Sequence, residues 1–129
     1  MSKKVCGYLC KGCGIGDALD LGGLKKAAGE QGVKEFKEHD VLCSPEGVAM
    51  IQADVDGGTN ALLIAACSSR AKTDEFSFGN QVLVERVSLR EQVVWCSAEA
   101  EDDDRQMLGE DYMRMGGVKL TKSEPPAPF

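Results

Sequence analysis

The chain has 129 residues, which is enough for one α/β core but not for two independent domains. Its formal net charge of -6 offers no general basic surface for nucleic-acid phosphates. Its apolar runs are shorter than the about 20 residues that cross a bilayer, and we see no apolar stretch typical of a secretion signal. We therefore expect a cytoplasmic protein without nucleic-acid partners or membrane insertion.

Hydrophobic patterning predicts strands and helices that alternate along the chain. The predicted strands cover residues 4–10, 35–42, 61–67 and 81–87, and the predicted helices cover residues 19–31, 45–55 and 98–115. The run 61–67 is apolar at every position, as in a parallel strand covered on both faces. Ser44 and Pro45 predict the start of the second helix, and residues 88–91 match a capping box that opens a further helical turn.

The composition changes toward the end of the chain. The acidic run 99–104 predicts a solvated face near a helix start, where the helix dipole favours carboxylates. Three of the four prolines fall in residues 123–129, a composition typical of linkers. We therefore expect a folded domain at residues 1–118 and a Pro-rich linker or tail at 119–129, cut from a longer protein.

This order of elements predicts a small three-layer α/β domain, Rossmann-like or flavodoxin-like, with a mostly parallel sheet of about four strands. In the strand orders of both folds, Rossmann-like and flavodoxin-like, the first strand lies inside the sheet. Ligands of such sheets bind beyond the carboxyl ends of the strands. Functional side chains are expected at that edge.

Six cysteines are the strongest chemical signal in the sequence. Four of them lie at or after the ends of predicted strands and should meet at the carboxyl edge of the sheet: Cys10, Cys13, Cys43 and Cys67. In a reducing compartment, such thiols indicate metal or redox chemistry, and four thiolates suit zinc or a 4Fe-4S cluster. One Cys-x-x-Cys pair with two isolated thiols favours the cluster, because structural zinc more often uses two such pairs.

The sequence is compatible with several alternatives. Cys6 is interpreted as a core residue, whereas Cys96 follows the fourth strand and is an alternative ligand. The four thiols could form a zinc site in a structural or docking domain, and Cys10 with Cys13 could act as a thiol-disulfide oxidoreductase. The only histidine, His39, is interpreted as a surface or packing residue.

The whole chain resembles the amino-terminal iron-sulfur domain of the flavin-binding component of heterodisulfide reductase and of related iron-sulfur flavoproteins of anaerobic metabolism. The resemblance is carried by four segments: residues 5–14 (VCGYLCKGCG), 42–44 (LCS), 65–70 (AACSSR) and 90–92 (REQ) with Trp95. The chain departs from the family pattern in that one residue more separates Cys10 from Cys13 and Ser69 replaces a usual proline. Some relatives also carry a cysteine where this chain has Val93, and here Cys96 follows three residues later.

The resemblance implies a 4Fe-4S cluster on Cys10, Cys13, Cys43 and Cys67. It also implies electron relay to or from FAD in a following domain, within a heterodisulfide-reductase-like complex with other electron-transfer subunits. The chain would then be an electron-transfer domain of an oxidoreductase without substrate chemistry of its own.

Overall fold

The computed structural model describes residues 3–79, 81–97 and 99–124. They form a four-stranded parallel sheet in the order β2-β1-β3-β4. Its strands are β1 (Val5–Cys10), β2 (Phe36–His39), β3 (Ala61–Ala66) and β4 (Leu83–Ser88). The predicted α/β fold class is confirmed, and the first strand lies inside the sheet as expected.

Helices follow the strands and cover both faces of the sheet. They are α1 (Ile15–Ala18), α2 (Leu21–Gly29), α3 (Pro45–Asp56), a π-helix (Arg90–Trp95) and α4 (Asp102–Lys122). On one face, α2 and α4 pack with the inward side chains of β3 and β4 in a core that includes Leu24, Leu63 and Met113. On the other face, Ile51 of α3 shares a core with Tyr8. The result is the predicted three-layer arrangement.

The central strand β3 is buried at every position, which explains its uninterrupted apolar sequence. It pairs with β1 on one side and with β4 on the other, so that Ala65 lies opposite Leu9 and Val87. This register aligns the carboxyl ends of the neighbouring strands. Loops that leave β1 and β3 therefore emerge side by side.

The predicted cap of the second helix is confirmed, whereas the predicted capping box at residues 88–91 is wrong. Ser44 Oγ accepts a hydrogen bond of 3.2 Å from Gly47 N at the start of α3. Ser88 instead ends β4, and its buried hydroxyl has no hydrogen-bond partner among the described residues. The segment after it is a π-helix, which sequence periodicity did not indicate.

The last helix begins and ends later than predicted. It runs to Lys122, so residues 119–122, which we assigned to the tail, belong to a helix, and Leu120 is buried. Gly116 explains the difference, because a Cβ there would lie 2.5 Å from Val87 Cγ2. Glycine thus allows α4 to approach the sheet closely rather than ending the helix. The predicted tail residues 125–129 lie outside the described residues.

Residues 99–104 are exposed before and within the first turn of α4, as predicted for a solvated acidic face. Among the described residues, no helix is both long enough and apolar enough to span a membrane.

Candidate metal centre

The four cysteines predicted as ligands come from three separate loops and line a single pocket. Cys10 ends β1, Cys13 lies in the following turn, Cys43 precedes α3 and Cys67 follows β3. The pocket has a volume of about 130 Å³ and lies at the carboxyl ends of β1 and β3. The structure therefore brings together the thiols that the sequence placed at this edge.

The thiols differ in their access to solvent. Cys10 and Cys67 are buried, with exposed fractions of 8% and 7%, whereas Cys43 is half-buried and Cys13 is exposed. The pocket thus has a buried end formed by the strand termini and an open end formed by the turn after β1.

Close packing of two loops positions the first cysteine pair. A Cβ at Gly12 would lie 2.6 Å from the carbonyl oxygen of Asp40, so only glycine lets the loops after β1 and β2 approach this closely. Cys13 and Gly14 both have positive φ angles, 55° and 84°, which turn the chain sharply into α1. Gly16 N donates to the carbonyl oxygen of Lys11 at 3.1 Å and so closes this turn.

Three of the four thiols have a hydrogen-bond donor directed at sulfur. Leu42 N lies 3.5 Å from Cys10 Sγ, within hydrogen-bonding reach of a sulfur acceptor. Arg86 Nη2 is 3.3 Å from Cys67 Sγ. Arg90 Nη1 is 3.5 Å from Cys13 Sγ.

Such donors favour sulfur in its anionic form, because hydrogen bonding to a charged group stabilises it. Arg86 and Arg90 were not among the predicted site residues. Arg90 lies in a segment that carries the family resemblance, whereas no sequence signal indicated Arg86.

Burial and the arginines act in opposite directions on Cys67. Burial raises the pKa of its thiol, and the charges of Arg86 and Arg90 partly counteract that rise. Burial also lowers the pKa of Arg86, whereas the nearby Cys67 raises it. Burial alone would raise the pKa of Glu91, but hydrogen bonds from Arg90 and Ser68 N lower it. Glu91 is thus an anion that fixes Arg90 beside the pocket.

Within the described residues, the two other cysteines do not line this pocket. Cys6 is buried in β1 and belongs to the core on the α3 face, as its sequence position indicated. Cys96 is exposed, and its thiol donates to the carbonyl oxygen of Gln92 at 2.8 Å. His39 lies at the end of β2, where Nδ1 accepts from Val41 N at 3.1 Å. The structure therefore does not bring the alternative ligand Cys96 to the other thiols.

The chemistry of the pocket lining fits a thiolate-bound metal centre. The described lining contains no carboxylate, and its charged members, Lys72 and Arg90, are both basic. Apolar side chains complete it: Ile15, Val41, Ala66 and Phe76. Thiolates select soft metal centres, and an apolar wall with basic groups suits a centre that carries negative charge.

Among the described residues, no group of three or more cysteine, histidine, aspartate or glutamate side chains is arranged to hold a metal ion. No family model matches the chain, and no curated protein matches it.

Proposed function

We propose that this domain binds one 4Fe-4S cluster through Cys10, Cys13, Cys43 and Cys67 and acts as an electron-transfer domain. One observation carries the proposal: four thiols from three loops line the same pocket at the carboxyl edge of the sheet. When bound, such a cluster accepts and releases one electron at a time. No other chemistry is assigned to the domain.

The surrounding residues would support this role in two ways. The apolar lining keeps water from the buried end of the pocket, which affects the potential of a metal centre. Donors from Leu42 N, Arg86 and Arg90 reach three sulfur atoms and would stabilise thiolate ligands. The remaining thiol, Cys43, lies on the half-exposed wall of the pocket.

The sequence resemblance suggests the redox partner. We infer that this domain exchanges electrons with a flavin in a following domain or partner protein of a heterodisulfide-reductase-like complex in the cytoplasm. The exposed side of the pocket at Cys13 is where such a partner could come closest. The flavin would belong to that partner, and the present domain would supply the thiolate site.

The test is anaerobic reconstitution of the purified chain with iron and sulfide. We expect a broad visible absorption band and about four irons and four acid-labile sulfides per chain. Cys→Ser variants at positions 10, 13, 43 and 67 should lose most of the band and the iron. Cys6→Ser and Cys96→Ser are matched controls that should keep both, because these residues do not line the pocket.

Two outcomes would overturn the proposal. A colourless protein with one tightly bound zinc would favour a structural or docking domain. A metal-free protein with a reversible disulfide between Cys10 and Cys13 would favour a thiol-disulfide oxidoreductase.

A further inference from the structure

Two arginines approach the cysteine pocket from different elements of the fold. Arg86 comes from β4 and places Nη2 3.3 Å from Cys67 Sγ. Arg90 comes from the π-helix and places Nη1 3.5 Å from Cys13 Sγ. One cation therefore lies at a buried thiol and the other at the exposed thiol.

The guanidinium of Arg86 is held in place by several contacts. It donates to the carbonyl oxygens of Ala71 at 3.1 Å and Ser68 at 3.0 Å, and its Cζ lies 4.6 Å from the centre of the Phe76 ring. The backbone carbonyls and the Phe76 ring therefore fix the guanidinium beside Cys67.

The hydrogen bonds of Arg86 within the described residues go to carbonyl oxygens and to one sulfur atom. Its Nε is buried without a hydrogen-bond partner there. A cation taken out of water is costly unless an opposite charge compensates it. The nearest group that can supply a negative charge through one of these bonds is Cys67 as a thiolate.

Arg90 is placed differently. It forms an ion pair with Glu91 at 2.8 Å, and its Cζ lies 4.6 Å from the centre of the Trp95 ring. Trp95 is itself 58% exposed, so this arginine lies at the open end of the pocket. Because Glu91 neutralises part of its charge and solvent screens the rest, Arg90 should act more weakly than Arg86.

We propose that Arg86 and Arg90 are positioning residues that compensate the charge of the thiolates at Cys67 and Cys13 and make the reduced state of the bound cluster easier to reach. This inference rests on the proposed cluster. One-electron reduction adds one negative charge to the centre, and no bond forms or breaks. The external reductant, such as dithionite, gives up that electron and is thereby oxidised. Fixed cations at two sulfur atoms stabilise the more negative state.

The experiment measures the midpoint potential of the reconstituted chain for Arg86→Gln, Arg86→Lys, Arg90→Gln and Arg90→Lys. Arg114→Gln is the matched control, since this α4 arginine pairs with Glu30 and Asp111 and does not line the pocket. We expect Arg86→Gln to disfavour reduction about tenfold, which is about 59 mV for one electron. Arg90→Gln should shift the potential less, the lysine variants should recover part of each shift, and Arg114→Gln should match the wild type.

The results separate this inference from the proposed function. Wild-type protein that takes up no iron and sulfide would refute the cluster itself. Loaded variants with potentials equal to that of Arg114→Gln would refute only the role of the arginines, as would a shift in the opposite direction. If Arg86→Gln does not fold, as judged by circular dichroism, the comparison of Arg90→Gln with Arg90→Lys decides the question at the exposed end of the pocket.

Discussion

Gly47 provides a direct test of how the fold positions the candidate site. This residue lies in the first turn of α3, where a Cβ would be 2.6 Å from the carbonyl carbon of Leu42 and 2.8 Å from its Cα. Leu42 is fully buried, and its N–H approaches Cys10 Sγ. Alanine at position 47 must therefore displace the backbone of the loop that carries Cys43.

Two opposing effects determine how much Gly47→Ala changes the free energy of unfolding. Overpacking of this kind costs roughly 1–3 kcal/mol, and replacement of a helical glycine by alanine recovers about 1 kcal/mol of helix propensity. Because the obstacle is the backbone of a buried residue, we expect Gly47→Ala to lower the free energy of unfolding by about 2 kcal/mol overall. The variant should also take up less iron, since Cys43 moves with the loop.

Urea unfolding followed by circular dichroism measures this difference. The control is Gly29→Ala at the end of α2, where, among the described residues, no heavy atom beyond the chain neighbours and the helix's own backbone lies within 4 Å of the added Cβ. That variant should be unchanged or more stable by about 0.5–1 kcal/mol. Equal stabilities for the two alanine variants would show that Gly47 is not the close contact that fixes the loop.

Three further predictions concern the core and one concerns a loop. Tyr8 donates a hydrogen bond of 2.6 Å to Asp54, so Tyr8→Phe should lower the free energy of unfolding by about 1.5–3 kcal/mol in a urea titration. Burial alone would raise the pKa of Asp54, but hydrogen bonds from Lys37 and Tyr8 lower it below its ordinary value of 3.8. The ionised carboxylate therefore stabilises the fold fully above pH 3.8, and this contribution is lost as the pH falls through the lowered pKa. Asp54→Asn should flatten the acid side of a plot of unfolding free energy against pH. Ser88→Ala removes a buried hydroxyl that has no hydrogen-bond partner in the described part of the chain, so thermal unfolding should show an unchanged stability or a gain of up to about 1 kcal/mol. A clear loss of stability would mean that the hydroxyl has a partner. Arg105→Gln removes hydrogen bonds to two carbonyl groups in the loop before α4, so amide hydrogen exchange there should become faster while exchange in β3 stays slow.

The parallel sheet could be predicted because its strands differ clearly in sequence from the segments between them. The run 61–67 is apolar throughout, and a strand buried on both faces requires that pattern. The end of α4 could not be predicted in the same way, because Gly116 is indistinguishable in sequence from a helix-ending glycine. Its role depends on how close Val87 lies on the neighbouring strand, which is a tertiary contact.

The π-helix at the candidate site also could not be predicted from sequence, because it depends on a tertiary contact. Ser88 and the residues after it match the spacing of a capping box, yet Glu91 accepts from Ser68 N and pairs with Arg90 instead. A side chain at this position can bond to the start of its own helix or to a loop from another strand. Sequence spacing describes the first choice, and only the packing of β3 against β4 makes the second one available.

The convergence of the thiols could be predicted for a simple geometric reason. In a parallel sheet, every strand ends at the same edge, so residues that follow neighbouring strands meet there whatever their distance along the chain. Cys10 ends β1 and Cys67 follows the neighbouring strand β3, so the two residues converge. Arg86 could not be recognised in this way, because it lies within β4 and reaches Cys67 through its long side chain.

The net charge of the chain does not indicate the charge of the candidate site. The protein is acidic overall, but the acidic residues 99–104 lie at the start of α4, whereas the charged residues in the described pocket lining, Lys72 and Arg90, are basic. Electrostatic stabilisation depends mainly on charges within a few ångströms, because solvent and salt screen more distant ones. An acidic domain could therefore stabilise the proposed anionic centre, because Arg86 and Arg90 lie beside the sulfur atoms of Cys67 and Cys13.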